Sequence, residues 1–164
     1  MKKLALVFLS CGIIATAQAD DCDTAQCTLS VYMQAHIDKD VNTLYQLTAE
    51  SERGERNEFF SSYQRKHGVT EVFQMFIEQH TRFDLTTIEE GDDFARVRAD
   101  TEYPDFRTPA LERGRQGIML DTAEDWADFV EYLNSQGFAS ISDQAEFYLI
   151  KAEDEWKVLS PTLH

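Results

Sequence analysis

The sequence predicts a single exported α+β domain, with helices in its first half and antiparallel strands in its second. Three observations carry that expectation. An apolar leader ends in a small-x-small site, apolar residues recur every three to four positions up to His80, and strict alternation takes over beyond it.

The leader comes first. Lys2 and Lys3 precede an almost wholly apolar run from Leu4 to Ala15, and Ala17-Gln18-Ala19 supplies the small residues that signal peptidase requires. The run is too short to span a bilayer stably, and Asp20 and Asp21 follow at once. Residues 1–19 therefore read as a signal peptide cleaved after Ala19. Residues 20–164 read as one domain, in the periplasm or secreted, with no membrane insertion after cleavage. A lipoprotein site at Leu9-Ser10-Cys11 is the rival reading. It would follow a very short apolar core, with Phe8 where leucine is usual, and would leave an apolar tail on the product.

Two of the 15 lysines and arginines leave with the leader, so 13 basic side chains face 30 acidic ones and the charge moves from −15 to −17. Such an acidic surface repels nucleic acid and anionic lipid headgroups and sets both aside as partners. Basic proteins, cationic ligands and divalent cations are weakly favoured, although the same charge also simply keeps a secreted protein soluble. Cys11 departs with the leader. Cys22 and Cys27 remain, an even pair in an oxidising compartment, and a disulfide is the default. A loop this short contributes about 2 kcal/mol on the chain-entropy model. Four intervening residues, where a redox pair normally has two, argue for a staple at the start of the first helix.

Residues 28–49 have helical spacing. Leu29, Tyr32, Met33, His36, Val41, Leu44 and Leu47 fall roughly on one side, with a break at Asp38-Lys39-Asp40. The charged stretch 50–58 reads as a loop or a solvated helical start. Phe59, Phe60 and Tyr63 precede Gly68, and Val69, Val72, Phe73, Phe76, Ile77 and His80 then repeat every three to four residues. Beyond His80 the period changes. Phe83, Leu85 and Thr87 alternate with polar neighbours, residues 89–93 turn, and Ala95, Val97, Ala99, Thr101 and Tyr103 alternate again. Pro104 and Pro109 bracket a segment that reads as irregular to about Gly117. Thr122 then caps a helix whose apolar face is Trp126, Phe129, Val130 and Leu133 and which stops near Gly137. A final hairpin spans residues 145–161 with a solvated turn at Ala152-Glu153-Asp154-Glu155, and Phe147, Leu149, Trp156 and Val158 form its inner stripe.

The first helix with its acidic break (Ala35 to Leu44), the strand from Gly91 to Val97 and the closing hairpin from Phe147 to Val158 come in a telling order. Together they resemble the NTF2-like superfamily, especially its small exported members of unknown function. The resemblance implies a cone of curved antiparallel sheet packed on N-terminal helices, with an extra helix inserted near 122–135 over the mouth of the cone. It also implies an inner cavity and a possible homodimer through the open face of the sheet. It implies no activity, because the superfamily contains enzymes and inert binding modules alike.

Candidate residues follow from where polar groups could converge. The superfamily's steroid isomerases set a tyrosine on the first helix opposite an aspartate base on a strand. Tyr32 fits the first role, but no strand-borne aspartate stands where the base belongs. His36 lies on the same side of that helix, and Asp40, one turn on, has the spacing to orient its imidazole for general-base work. His67 and His80 read as structural. Phe73, Phe76, Tyr103, Phe147 and Trp156 are the candidates to line an apolar cavity, although such a sheet needs most large residues for plain core. Arg96 and Arg98, with Arg107, Arg113 and Arg115 nearby, form a basic cluster in an acidic chain. They would hold an anion or pair with Asp100, Glu102 and Glu112. No metal-ligand, nucleophile-elbow or phosphate-loop spacing is present, so no metal and no cofactor is expected.

The sequence thus favours a non-enzymatic protein that binds a small apolar molecule or an envelope protein. The alternatives are a cofactor-free isomerase or lyase using His36 and Tyr32, and an acidic envelope protein acting on a basic partner through its outer surface.

Overall fold

The structure, a computed structural model, describes residues 22–66 and 71–159; the leader expected at 1–19 and His67 lie outside them. Helix α1 (Ala25–Asp38) starts at Thr24, whose hydroxyl accepts the Cys27 N–H at 3.2 Å. The Cys22–Cys27 disulfide ties the preceding segment to this first turn. The acidic break is a stop and a restart. Lys39 takes a left-handed conformation at φ 55°, and Asp40 then caps helix α2 (Val41–Leu47). Gly54, at φ 59° and ψ −157°, joins the short α3 (Glu50–Arg53) to α4 (Arg56–Lys66) in a region open only to glycine. The charged stretch 50–58 is thus mostly helical, with its side chains largely in solvent. Helix α5 (Glu71–His80) closes the first half.

The sheet is an antiparallel meander in the order β1 (Arg82–Glu90), β2 (Phe94–Pro104), β3 (Ser140–Ala152), β4 (Glu155–Val158). Alternation decides its faces. Ala95, Val97 and Ala99 point inward opposite Leu149, Phe147 and Ala145, while Phe94, Arg96 and Arg98 take the other face. Glu153 and Asp154, at φ 54° and 67°, form the tight turn into β4, the positive-φ pair that suits a two-residue hairpin. The outer edge of β4 is covered, because Thr48 bridges to Val158 and the Ala49 N–H donates to the Val158 carbonyl at 2.8 Å. Strand β3 begins five residues before the alternation from Ala145 suggests. Residues 140–144 carry one apolar side chain, the half-buried Ile141, too few to show an alternation, and pairing with β2 from Asp100 to Pro104 makes them a strand.

The segment after Pro104 corrects the sequence reading. It is not irregular but forms helix α6 (Arg107–Arg115). The Asp105 carboxylate accepts the Arg107 and Thr108 N–H groups at 3.0 and 3.2 Å, and Pro109 stands in the first turn, where its missing N–H has no intrahelical partner to lose. Its periodicity is weak because four of its nine residues are charged. Helix α7 (Ala123–Gln136) carries the expected cap. The Thr122 hydroxyl accepts the Asp125 N–H, the Asp125 carboxylate takes the Thr122 N–H in return, and the helix stops at Gly137.

Two cores result. In the first, α1 and α2 lie on the inner face of the sheet, so that Leu29, Tyr32, Leu44 and Leu47 pack with Ala95, Val97, Phe147, Leu149, Trp156 and Val158. In the second, Phe73 and Phe76 of α5 meet Phe129 and Leu133 of α7, flanked by Phe106, Trp126 and Phe138. The Gln74 amide donates to the Ile37 carbonyl at the end of α1 and links the two cores. Phe129 is fully buried in the second core, so Phe129→Ala should lower unfolding stability by about 3–5 kcal/mol. Leu111→Ala, at a position 66% exposed, should stay within about 0.5 kcal/mol. Urea denaturation of both variants checks this, and equal losses would contradict a second core centred on Phe129.

Candidate functional site

The structure sets Tyr32, His36 and Tyr63 side by side. The His36 ring lies 4.9 Å edge-on from Tyr32 and 5.9 Å from Tyr63, and the Tyr63 hydroxyl donates to the His36 carbonyl at 3.5 Å. Tyr32 and Tyr63 are buried, but His36 is exposed, a departure from the apolar-side position its spacing suggests. The buried residues of α1 are Ala25, Thr28, Leu29, Tyr32, Ala35 and Ile37, and His36, between the last two, is turned out of the core. Burial pushes the Tyr63 phenol up to about 12. Burial also raises Tyr32, with the Thr48 hydroxyl pulling partly the other way. Both phenols are therefore protonated donors at neutral pH. Asp40 has a plain local task. Its oxygens accept the Thr43 N–H at 3.2 Å and the Thr43 hydroxyl at 2.6 Å, and the hydroxyl bond is the main cause holding its carboxyl below the usual range.

The five aromatic cavity candidates do not share one space. Phe147 and Trp156 belong to the sheet core, Phe73 and Phe76 to the α5–α7 core, and Tyr103 is half-buried near the end of β2. Arg96 and Arg98 sit on the outer face of the sheet and pair locally, with Glu146 at 3.7 Å and Asp100 at 3.6 Å. Their Nε atoms are buried without a hydrogen-bond partner among the described residues. His80 is structural. Its Nδ1 is 2.8 Å from the Phe76 carbonyl, and its ring packs on Phe76 and Phe138.

Two openings stand out, both on the helices. One, of about 800 Å³, lies between α3 and α4 and is lined mostly by polar groups such as Glu52, Asn57, Glu58 and Ser62. The other, of about 650 Å³, lies between α6 and the start of α7. Its walls follow from helical spacing. Phe106, Ala110 and Gly114 recur every four residues along one line of α6, and Arg107, Leu111 and Arg115 along the next, with Trp126 of α7 opposite. Side chains shrink from phenylalanine to glycine along the first line, and a Cβ at Gly114 would meet nothing within 4 Å. That taper leaves the groove open. Arg113, by contrast, turns towards α7, its guanidinium 5.1 Å from the Tyr132 ring and 5.8 Å from Phe129.

Sequence reasoning singled out Trp126, Arg107 and Arg115, but not Phe106, Ala110, Leu111 and Gly114, because it gave this segment no helix. The four-residue repeats were the available signal. An apolar floor with arginines beside it suits binding of an amphipathic molecule, and its volume falls within the roughly 300–1,000 Å³ of small-molecule sites. Among the described residues no three His, Cys, Asp or Glu side chains are placed to hold a metal ion. No protein-family model matches the chain, and no curated protein or solved structure matches it significantly.

The two phenols make stability sensitive to alkali. The folded-state value of Tyr63 exceeds the ordinary 10.0, so its contribution is intact below pH 10 and is lost as pH rises towards about 12. The urea midpoint should fall over that window, and should fall less in Tyr63→Phe. Identical falls in the two proteins would clear Tyr63 of the effect.

Proposed function

We propose that this chain is an exported, non-enzymatic NTF2-like protein that binds a small apolar molecule, and that the molecule lies in the groove between α6 and α7. The single observation that carries the binding reading is that groove. Its floor is Phe106, Ala110, Leu111 and Trp126, and Leu111 is left 66% exposed. The order of elements and the leader at 1–19 support the family and the export. The insertion of α6 and α7 between β2 and β3 supports the extra element that the resemblance implies.

The cone itself offers less room. Leu29, Tyr32, Phe147, Leu149 and Trp156 fill the inner face of the sheet and are each at most 8% exposed. The isomerase or lyase alternative asks Tyr32 and His36 to face one cavity, and neither side chain lines either opening described above. A homodimer through the outer face of the sheet is the second reading. Ile88 and Phe94 are 37% and 38% exposed there, and Phe94 lies 5.9 Å from the Tyr148 ring. Phe94→Glu should convert such a dimer to monomer in sedimentation runs, and a wild-type monomer at micromolar concentration ends that reading.

Native mass spectrometry of protein recovered from the periplasm tests the main proposal. The chain should begin at Asp20 and carry a small-molecule adduct. Purified protein should also bind the neutral apolar probe N-phenylnaphthylamine, and Gly114→Leu, which fills the open end of the groove, should weaken that binding at least tenfold, about 1.4 kcal/mol. Equal probe binding by the two proteins would place the apolar site elsewhere.

A further inference from the structure

We infer that the groove between α6 and α7 takes a single-chain amphiphile with a carboxylate head, and that Arg115 is the main head-group residue. This rests on the groove reading above. The observation behind it is an electrostatic inversion. The chain carries 30 acidic against 15 basic residues, yet both charged side chains lining the groove are arginines. Among the described residues neither has an ion-pair partner within 4.0 Å, although Arg96, Arg98 and Lys157 do.

The arginines of α6 divide by role. Arg113 is stacked on Phe129 and Tyr132, its Nε is buried, and it fastens α6 to α7. Arg107 lies beside Asp105, whose carboxyl its charge helps to hold down, so part of its field is already answered. Arg115, two helical turns on, lines the groove beside Gly114, where an added Cβ would meet nothing within 4 Å, and has no carboxylate at salt-bridge distance among the described residues. An alkyl chain laid along Leu111, Ala110 and Phe106 towards Trp126 would bring its head to Arg115. The two lining arginines are eight residues apart, roughly 12 Å along the helix, comparable to the extended length of a medium alkyl chain.

Charge selects a carboxylate over a phosphate. One guanidinium fork matches one carboxylate through two parallel hydrogen bonds. A phosphate monoester offers the same fork but bears up to twice the charge, so it meets up to twice the long-range repulsion from a mature chain whose 13 basic and 30 acidic residues give a net charge of −17. A neutral head leaves Arg115 unsatisfied, and a cationic head is repelled by it.

The test is displacement of N-phenylnaphthylamine by dodecanoate, dodecanol, dodecyl phosphate and dodecyltrimethylammonium, each below its micelle concentration, at neutral pH and low salt. Dodecanoate should displace the probe at concentrations at least tenfold lower than any of the others. Arg115→Gln should remove most of that advantage and Arg107→Gln less, with dodecanol unchanged in both and melting temperatures close to wild type. The advantage should also shrink as salt is added. Equal displacement by dodecanoate and dodecanol, or an advantage that survives in both arginine variants, overturns the carboxylate assignment while the groove reading stands. Tighter binding of dodecyl phosphate overturns it in favour of a phosphate head. If the probe ignores Gly114→Leu, the groove reading falls first and this inference falls with it.

Discussion

The close seat of α1 on the sheet is the contact on which the rest of the molecule depends. Ala95 and Ala99 of β2 are small and fully or almost fully buried, so the helix can approach, and Leu29 and Tyr32 fill the space between Val97, Phe147 and Leu149. Each such buried side chain contributes on the order of 1.5–3 kcal/mol, and none is replaceable by a polar residue without an unpaired group below the helix. The contact also sets the local geometry around it. Its C-terminal turn is held by Gln74 of α5, its first turn is held by the disulfide, and the Gln26 side chain bonds to Leu85 and Thr87 of the edge strand β1.

A consequence is that the inner face of the sheet is occupied. The side chains that give the closing hairpin its alternating pattern are the same ones that meet α1, so they are committed to stability. Space survives instead at the second core, where α6 lies beside α7 with alanine and glycine on the facing line of α6. Small residues there leave a groove, just as the small residues of β2 admit a helix. The difference is that no element of the described chain fills the groove.

Much of the fold was legible because burial on one face leaves a period in the sequence. The inner stripe Phe147, Leu149, Trp156 and Val158 could be read by alternation, and the apolar face of α7 by its spacing and its Thr122 cap. Helix α6 was not legible for the same reason reversed. It has no fully buried residue, carries Pro109 in its first turn, and depends on a cap from Asp105 whose meaning is clear only once the helix is known. His36 shows the limit of helical spacing. It lies one position beyond the buried Ala35, and rotating a helix by one residue turns a side chain by about 100°. The candidate site suffered most, since its lining comes mainly from α6.

The sequence alone determined the class of the fold, the helix and strand periods, the disulfide partners and the acidic character of the chain. These depend on neighbours a few residues apart or on composition. Only the tertiary structure decided that four of the five aromatic candidates fall into two separate cores and Tyr103 into neither, that Arg96 and Arg98 pair with Glu146 and Asp100, and that Arg107 and Arg115 border an open apolar groove. Those outcomes depend on which elements pack together across long separations, and no local pattern encodes the distance between two side chains brought together by folding.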